Sequence, residues 1–322
     1  MSDVVVIGSL NIDLVVRVEK FPEPGETIAG SDLQIIPGGK GANQAAAISR
    51  LGKSVTMIGR VGRDDFGKRL IDNLALFNVD VCGIQRDATR PTGSALITVD
   101  SQGENWIVIS PGANAQVDGE DIDQHLSIIR NAGYLLLQFE IPLESVIHAA
   151  RVAKGFGTKI IVNPAPFMPI PPTLMKEIDV LILNEVEASS LLAREIRDIQ
   201  SALEAIRLVP PLGPQAVVIT LGGDGCVVSD GREVKHIPPY QVPVVDSTAA
   251  GDAFIGGFVS GLLDKLSISA AAKFGNTCGA LTVTKAGAQT SLPSLNEVRA
   301  FLDDFPMSSD KGVSIEEDRR SQ

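Results

Sequence analysis

The sequence predicts an α/β protein: a mostly parallel central sheet with helices on both faces, plus a small β-sheet lid. Three observations carry this. From about residue 55 to 220, short apolar runs alternate with helical periods, the βαβ rhythm of a parallel sheet. Aromatic residues are only 4% of the chain while the apolar fraction is 44%. The core is therefore built mainly from aliphatic residues, which suits strands buried on both faces. Two pairs of extended runs, at about 14–36 and 92–109, interrupt the rhythm and predict the lid.

The chain opens with Val4-Val5-Val6-Ile7-Gly8, a buried strand. A dinucleotide-binding fold requires G-x-G-x-x-G next, but Gly8-Ser9-Leu10-Asn11-Ile12-Asp13 follows, which counts against a nicotinamide enzyme. Asn11 and Asp13 lie two apart at the strand's carboxyl end, where ligands bind in such sheets. An Asx turn is the alternative at this point. Residues 14–18 alternate as a strand, 21–26 form a turn and 27–36 are extended again. Residues 92–99 and 105–109 flank the hairpin turn Asp100-Ser101-Gln102-Gly103.

Pro37-Gly38-Gly39-Lys40-Gly41-Ala42-Asn43-Gln44-Ala45 opens a helix reaching about Leu51. Its glycines permit positive φ and close backbone approach to a ligand. Asn43 offers donors and acceptors suited to sugar hydroxyls. Gln44 fills the last position of a near match to G-x-G-x-x-G. Gly52-Lys53-Ser54 ends like a P-loop, but Ala47 stands where its first glycine belongs.

Further strands are predicted at 55–58, 134–138, 159–162, 180–183 and 216–220, with helices at 66–77, 143–154 and 199–209. Glu140, Asn163, Asn184 and Glu187 stand at strand ends. Asn184 and Glu187 are one helical turn apart and can share a face. Their oxygens suit a hydrated hard cation, against the alternative of a solvated pair. Thr220-Leu221-Gly222-Gly223-Asp224-Gly225 is a glycine-rich turn on which an adenine and phosphates can lie, or a plain turn. Short extended runs at 226–229 and 234–237 follow.

The chain is organised around Asp246-Ser247-Thr248-Ala249-Ala250-Gly251-Asp252. An extended apolar segment at 242–245 leads in, and a helix starting near Gly251 leads out to about Leu263. The first turn of a helix has unpaired amides and a partial positive charge, and small residues let an anion reach them. Asp252 then stands beside an anion hole formed by the amides of Ala249, Ala250 and Gly251. A second small-residue helix at 268–284, the loop Lys285-Ala286-Gly287-Ala288-Gln289-Thr290-Ser291 and a last helix at 295–302 complete the chain. Residues 1–306 read as one domain and 307–322 as a disordered tail.

The net charge of −11 argues against nucleic acid and anionic membranes as partners. Cys82, Cys226 and Cys278 are too scattered for a disulfide framework or a zinc site and read as buried thiols in a reducing compartment. No basic leader and no apolar run of membrane-spanning length is present. The expectation is a soluble cytoplasmic protein acting on small molecules.

Four motifs in order now identify a likeness. Gly38–Ala45, Asn184-x-x-Glu187, Thr220–Gly225 and Asp246–Asp252 together resemble the ribokinase (PfkB-type) carbohydrate kinases, from about Val4 to Phe305. The wording GGKGANQA and the N-I-D at Asn11–Asp13 place the likeness nearest the ribose-phosphorylating members. Ser247 stands where the family usually has Thr. The resemblance implies ATP-dependent phosphorylation of ribose at its 5-hydroxyl, with Mg2+ and K+ as cofactors. It implies a sugar pocket lined by Asn11, Asp13, Gly39, Lys40, Gly41, Asn43 and Glu140, with Asp252 as the base. Asn184, Thr220, Gly222, Gly223, Gly225, Gly251 and Asn276 would lie along the nucleotide. Glu187 with Asn184 would hold magnesium through water. Asp246, Thr248, Thr282, Lys285, Gly287 and Ser291 would form a monovalent-cation site, Lys285 through its carbonyl. A kinase for another sugar or a nucleoside, and a non-catalytic sugar-binding regulator, remain open. The lid needs cover for its second face, which predicts a homodimer formed through it.

Overall fold

The structure is a computed structural model that describes residues 2–304; the predicted tail at 307–322 lies outside the described residues. In chain order the strands are β1 (Val4–Ile7), β2 (Asn11–Arg17), β3 (Gln34–Gly38), β4 (Val55–Gly62), β5 (Asp80–Asp87), β6 (Gly93–Val99), β7 (Asn105–Ser110), β8 (Tyr134–Gln138), β9 (Lys159–Asn163), β10 (Val180–Asn184), β11 (Ala216–Thr220), β12 (Cys226–Ser229) and β13 (Val234–Ile237). The helices are α1 (Lys40–Arg50), α2 (Asp65–Leu76), α3 (Gly119–Asp123), α4 (Leu126–Asn131), α5 (Leu143–Phe156), α6 (Pro172–Met175), α7 (Glu185–Leu192), α8 (Ile199–Ala205), α9 (Ala250–Leu263), α10 (Ile268–Val283) and α11 (Leu295–Asp304).

Nine strands form the main sheet in the order β13-β12-β11-β10-β9-β8-β1-β4-β5. All neighbours are parallel except at β12 and β13, which run antiparallel. Successive residues of a strand face opposite sides, and the apolar runs use both. Val4, Val6, Met57, Leu136, Ile161, Ile182 and Val218 face one layer, with α1, α9 and α10. Val5, Ile7, Ile58, Leu135, Leu137, Ile160 and Val217 face the other, with α5 and α8. The parallel strands β1, β8, β9, β10 and β11 end on one edge, at Ile7, Gln138, Asn163, Asn184 and Thr220, with Gly8 and Glu140 just beyond the first two. Helices α1 and α9 meet closely: a Cβ on Gly256 would lie 2.4 Å from Ala47 Cβ. This contact brings residues 43–44 of α1 to the first turn of α9.

The lid is a four-stranded sheet, β3-β2-β6-β7, with a parallel β2–β6 pair inside two antiparallel pairs. Two insertions into the βα rhythm thus build one sheet, as expected. Its boundaries differ from the sequence reading. Pairing of Asn11 with Gly38 and Gly93 starts β2 at Asn11, so Asn11 and Asp13 belong to the lid. Residues 27–33 form no strand. The segment 242–245 is not extended sheet either; it is held by a bond from Val245 N to Val283 O, with Val244 and Val245 exposed. The sequence reading lacks β5, which pairs with β4 across a register shift. On β5, Cys82 is exposed, not buried as expected, because β5 is an edge strand; Cys226 and Cys278 are buried. Among the described residues no helix is long and apolar enough to cross a membrane.

Candidate active site

The small-residue turn is strained at one point. Ala249 adopts φ +61, ψ 10 and caps α9, a left-handed conformation that a non-glycine residue enters at a cost of about 1–2 kcal/mol. Ala250 N is taken by Ser247 O at 3.2 Å. The predicted three-amide anion hole therefore lacks Ala250 in this conformation. No hydrogen bond is made by the N–H of Ala249 or Gly251 among the described residues.

Asp252 is buried in the first turn of α9. Its two oxygens accept separate amides: Asn43 Nδ2 to Oδ2 and Gln44 Nε2 to Oδ1, each at 2.9 Å. Burial raises its pKa; Lys40 and the two amides oppose this, and Glu140 reinforces it, with a net rise. Such a carboxylate is a better proton acceptor near neutral pH than a solvated one. Lys40 is itself pulled down by burial, but Asp252, Glu140 and Glu187 outweigh this and hold it above its ordinary value.

Asp13 is pushed up to about 7, first by burial, then by Glu140 and Asp252. Three carboxylates thus converge beside one lysine. Glu140 accepts the Ser9 hydroxyl and, at 3.1 Å, Lys40 N, so it caps the first turn of α1. Asn11 is half committed: its Oδ1 accepts Asn114 Nδ2 at 2.8 Å, and Asn114 also brackets Leu10 N and O. Gly39 and Gly41 serve the backbone. Gly39 has φ +92, and a Cβ there would lie 2.7 Å from Asn11 N; a Cβ on Gly41 would lie 2.7 Å from Ser9 N. Both glycines let α1 pack closely on the 8–11 crossover.

Two cavities adjoin the turn. One of about 170 Å³ is lined by Lys40, Asn163, Asn184, Glu187, Thr220 and Asp252, among others. The second, about 430 Å³, is lined by Thr220, Gly222, Gly223, Gly225, Gly251 and Asn276 with apolar Val242 and Val244. Thr220, Ser247, Ala250 and Gly251 line both. Every residue expected along the nucleotide therefore lines at least one of the two. Gly222, Gly223 and Gly251 have nothing within 4 Å of a Cβ position, whereas a Cβ on Gly225 would meet Ile237 O at 2.3 Å. Gly225 is required by the turn, and Asn276 clamps the same corner through Ile237 O and Pro238 O. Asn184 and Glu187 form a capping box at the start of α7, with Glu187 Oε2 taken by Asn184 N at 3.0 Å. Glu187 Oε1 has no hydrogen-bond partner among the described residues, and burial raises the pKa of the group.

Asp246 accepts Thr248 N through Oδ1 and Gly287 N through Oδ2, both at 2.9 Å. The expected cation residues thus share one neighbourhood, but Lys285 Nζ pairs with Glu297, and Thr282 and Ser291 donate their hydroxyls to Cys278 O and Ala288 O. Among the described residues no group of three or more His, Cys, Asp or Glu is placed to hold a metal. The sequence reading assigns no role to Ser9, Gln44, Asn114, Gln138 or Gln289. A polar residue inside an apolar helix face, as at Gln44 among Ala42, Ala45 and Ala46, is the available signal.

The pfkB family carbohydrate kinase pattern matches residues 1–295. The chain belongs to the pfkB family of carbohydrate kinases. It is similar to a ribokinase of Haemophilus influenzae, 41% identical over 298 residues, which cover 92% of this chain and 97% of that one. A ribokinase of Staphylococcus aureus is 37% identical, covering 92% and 98%. The structure of Arabidopsis thaliana ribokinase complexed with ribose and ATP superposes with a TM-score of 0.88 at 33% identity, covering 94% of this chain and 98% of that one.

Proposed function

We propose that this chain transfers the terminal phosphoryl group of ATP to the 5-hydroxyl of ribose. The observation that carries the reading is the carboxylate of Asp252, buried and doubly held, in the first turn of a helix whose amides at 249 and 251 are open. In this reading Asp252 accepts the hydroxyl proton as the O5–P bond forms and the bond to ADP breaks. The Ala249 and Gly251 amides face the transferred group; Ala250 joins them only if the bond to Ser247 O opens. Asn11, Asp13, Gly39, Lys40, Gly41, Asn43 and Glu140 form the sugar side, and Lys40 keeps the cluster of carboxylates from opposing an anionic phosphate. The glycine-lined cavity takes the nucleotide.

The free Glu187 Oε1, with Asn184 beside it, fits a hydrated magnesium ion, which when bound neutralises phosphate charge. One carboxylate among neutral oxygens, at Asp246, Thr248, Thr282, Lys285 O, Gly287 and Ser291, fits a large monovalent cation such as potassium. The lid supplies water exclusion. Its edge strand β7 is exposed along its whole length, with Trp106, Ile107, Val108 and Ile109 about half uncovered or more. A second copy is the occupant proposed for that face, giving a homodimer. One kinase domain at 1–306 carries out this transfer. ADP release measured over pentoses including 2-deoxyribose, hexoses and nucleosides tests it. Ribose should give the highest kcat/KM; a nucleoside or hexose that exceeds it tenfold would overturn the substrate assignment.

A further inference from the structure

The carboxylate of Asp252 is the end point of two converging chains of side-chain amides. On one side Asn73 Nδ2 donates to Gln289 Oε1 at 2.5 Å, Gln289 Nε2 to Asn43 Oδ1 at 3.0 Å, and Asn43 Nδ2 to Asp252 Oδ2 at 2.9 Å. On the other, Gln138 Nε2 donates to Gln44 Oε1 at 2.6 Å and Gln44 Nε2 to Asp252 Oδ1 at 2.9 Å. Asn43, Gln44, Gln138 and Gln289 are all buried, none more than 7% exposed. The direction of each chain is forced. An ionised carboxylate only accepts, so Asn43 and Gln44 must turn their NH2 groups toward it. Their carbonyls then face away and need donors, which Gln289 and Gln138 supply. Buried amides left unmatched are costly.

Gln289 sits in the 285–291 loop, and that loop reaches the site twice. Gly287 N binds Asp246 Oδ2, while Asp246 Oδ1 holds Thr248 N at the start of the small-residue turn. Gln289 reaches the carboxylate through Asn43. One loop therefore braces both the turn that presents the open amides and the group beside it.

We propose that Gln289 is a positioning residue: it fixes the orientation of the Asn43 amide, and through it the alignment of Asp252, coupling the 285–291 loop to proton removal. This rests on Asp252 being the base.

Steady-state kinetics of Gln289→Leu and Gln289→Glu, each alone and combined with Asp252→Asn, test it. Gln289→Leu frees the Asn43 amide, and kcat should fall about threefold to tenfold, the worth of one hydrogen bond, with KM for ATP unchanged. Gln289→Glu is isosteric, but its carboxylate draws the Asn43 NH2 and turns the Asn43 carbonyl onto Asp252. Its loss of kcat should exceed that of Gln289→Leu. With Asn at position 252, whose NH2 can meet the turned carbonyl, the Gln289→Glu effect should shrink to within about twofold. A packing role predicts the opposite order and effects that multiply unchanged. Either result overturns the proposal. Asn73→Asp reverses the same chain from a half-exposed position on α2 and should lower kcat about twofold with the fold intact; unchanged kcat there also counts against it. If Asp252→Asn alone keeps more than about a tenth of kcat, the base assignment and this proposal both fail. If it collapses kcat while the Gln289 and Asn73 variants match wild type, only the coupling fails.

Discussion

Replacing Asp252 by Asn is the most direct perturbation of the site, and its two consequences can be separated. The carboxylate accepts two donors, Asn43 Nδ2 and Gln44 Nε2, at 2.9 Å each. An amide at 252 accepts one of them and turns its own NH2 toward the other. That mismatch of two buried donors costs about 1–3 kcal/mol unless one chain of amides reverses. A second effect has the opposite sign. Burial raises the folded pKa of Asp252 above 3.8, so the ionised group destabilises the fold. That cost is absent below the unfolded pKa, grows as pH rises, and is full above the folded pKa. Asn removes it, so at neutral pH the two effects offset and the melting temperature should move little. Catalysis has no such offset. Loss of a general base lowers kcat by about two to four orders of magnitude, roughly 3–5 kcal/mol of barrier. The assay is coupled ADP release at saturating ribose and magnesium–ATP, well below the melting temperature, with ribose affinity followed by calorimetry. The expected result is collapsed kcat with ribose affinity changed less than about tenfold. A variant that keeps more than about a tenth of wild-type kcat would refute the base assignment.

Three further outcomes are expected. Titrating potassium chloride at fixed ionic strength should raise kcat at millimolar levels, with sodium weaker, and Asp246→Ala should abolish the dependence; a flat rate would leave Asp246 as the cap of Thr248 N and Gly287 N alone. Asp13, pushed up to about 7, should make the ligand-free fold less stable as pH rises from about 4 to 7. Asp13→Asn should therefore raise the melting temperature at pH 8 by an amount worth about 1–2 kcal/mol after discounting for solvent screening, and leave it unchanged near pH 4; a pH-independent change would sink this. On the lid, Val108 is 64% exposed on β7, and Val108→Glu should turn a sedimenting dimer into monomer, whereas wild type that sediments as monomer at micromolar concentration removes the dimer.

The central sheet was legible because its signal is local. Val4–Ile7, Tyr134–Gln138 and Val180–Asn184 are short, mainly aliphatic runs between helical periods, and burial on both faces demands that composition. The lid was legible as an interruption but not in its limits. Asn11 and Asp13 look like the end of β1 until Gly38 and Gly93 are seen to pair with Asn11, a contact between distant segments. Strand β5 carries Asp80, Arg86 and Asp87 at its ends and pairs along only one edge, so its run lacks the apolar density that marks its neighbours. The glycines at 39 and 41 were visible as special, while the reason for them, contact with the 8–11 backbone, was not.

The amide chains around Asp252 show where reading along the chain stops. A capping box such as Asn184–Glu187 has partners three residues apart, so a spacing can reveal it. Asn43 and Asp252 are 209 residues apart, and Gln289 and Asn43 are 246 apart. No spacing relates them; the packing of α1 on α9, where Gly256 admits Ala47, brings Asn43 to Asp252, and the 285–291 loop brings Gln289 to Asn43. What the sequence does carry is an imbalance. Gln44 and Asn43 interrupt a small-residue helix face, Gln138 ends an apolar strand, and Gln289 follows buried Ala288 and is itself buried. A buried amide needs both a donor and an acceptor; Asn43, Gln44 and Gln289 find both, whereas Gln138 Oε1 is buried without a partner. Four such groups in apolar contexts therefore imply one another, and they imply an acceptor that donates nothing in return. Among the acidic residues in small-residue or apolar runs, Asp252 meets that requirement. The arrangement thus completes the donors and acceptors of Asn43, Gln44 and Gln289, leaves Gln138 Oε1 unmatched, and holds Asp252 in the buried, proton-seeking state that the proposed reaction uses.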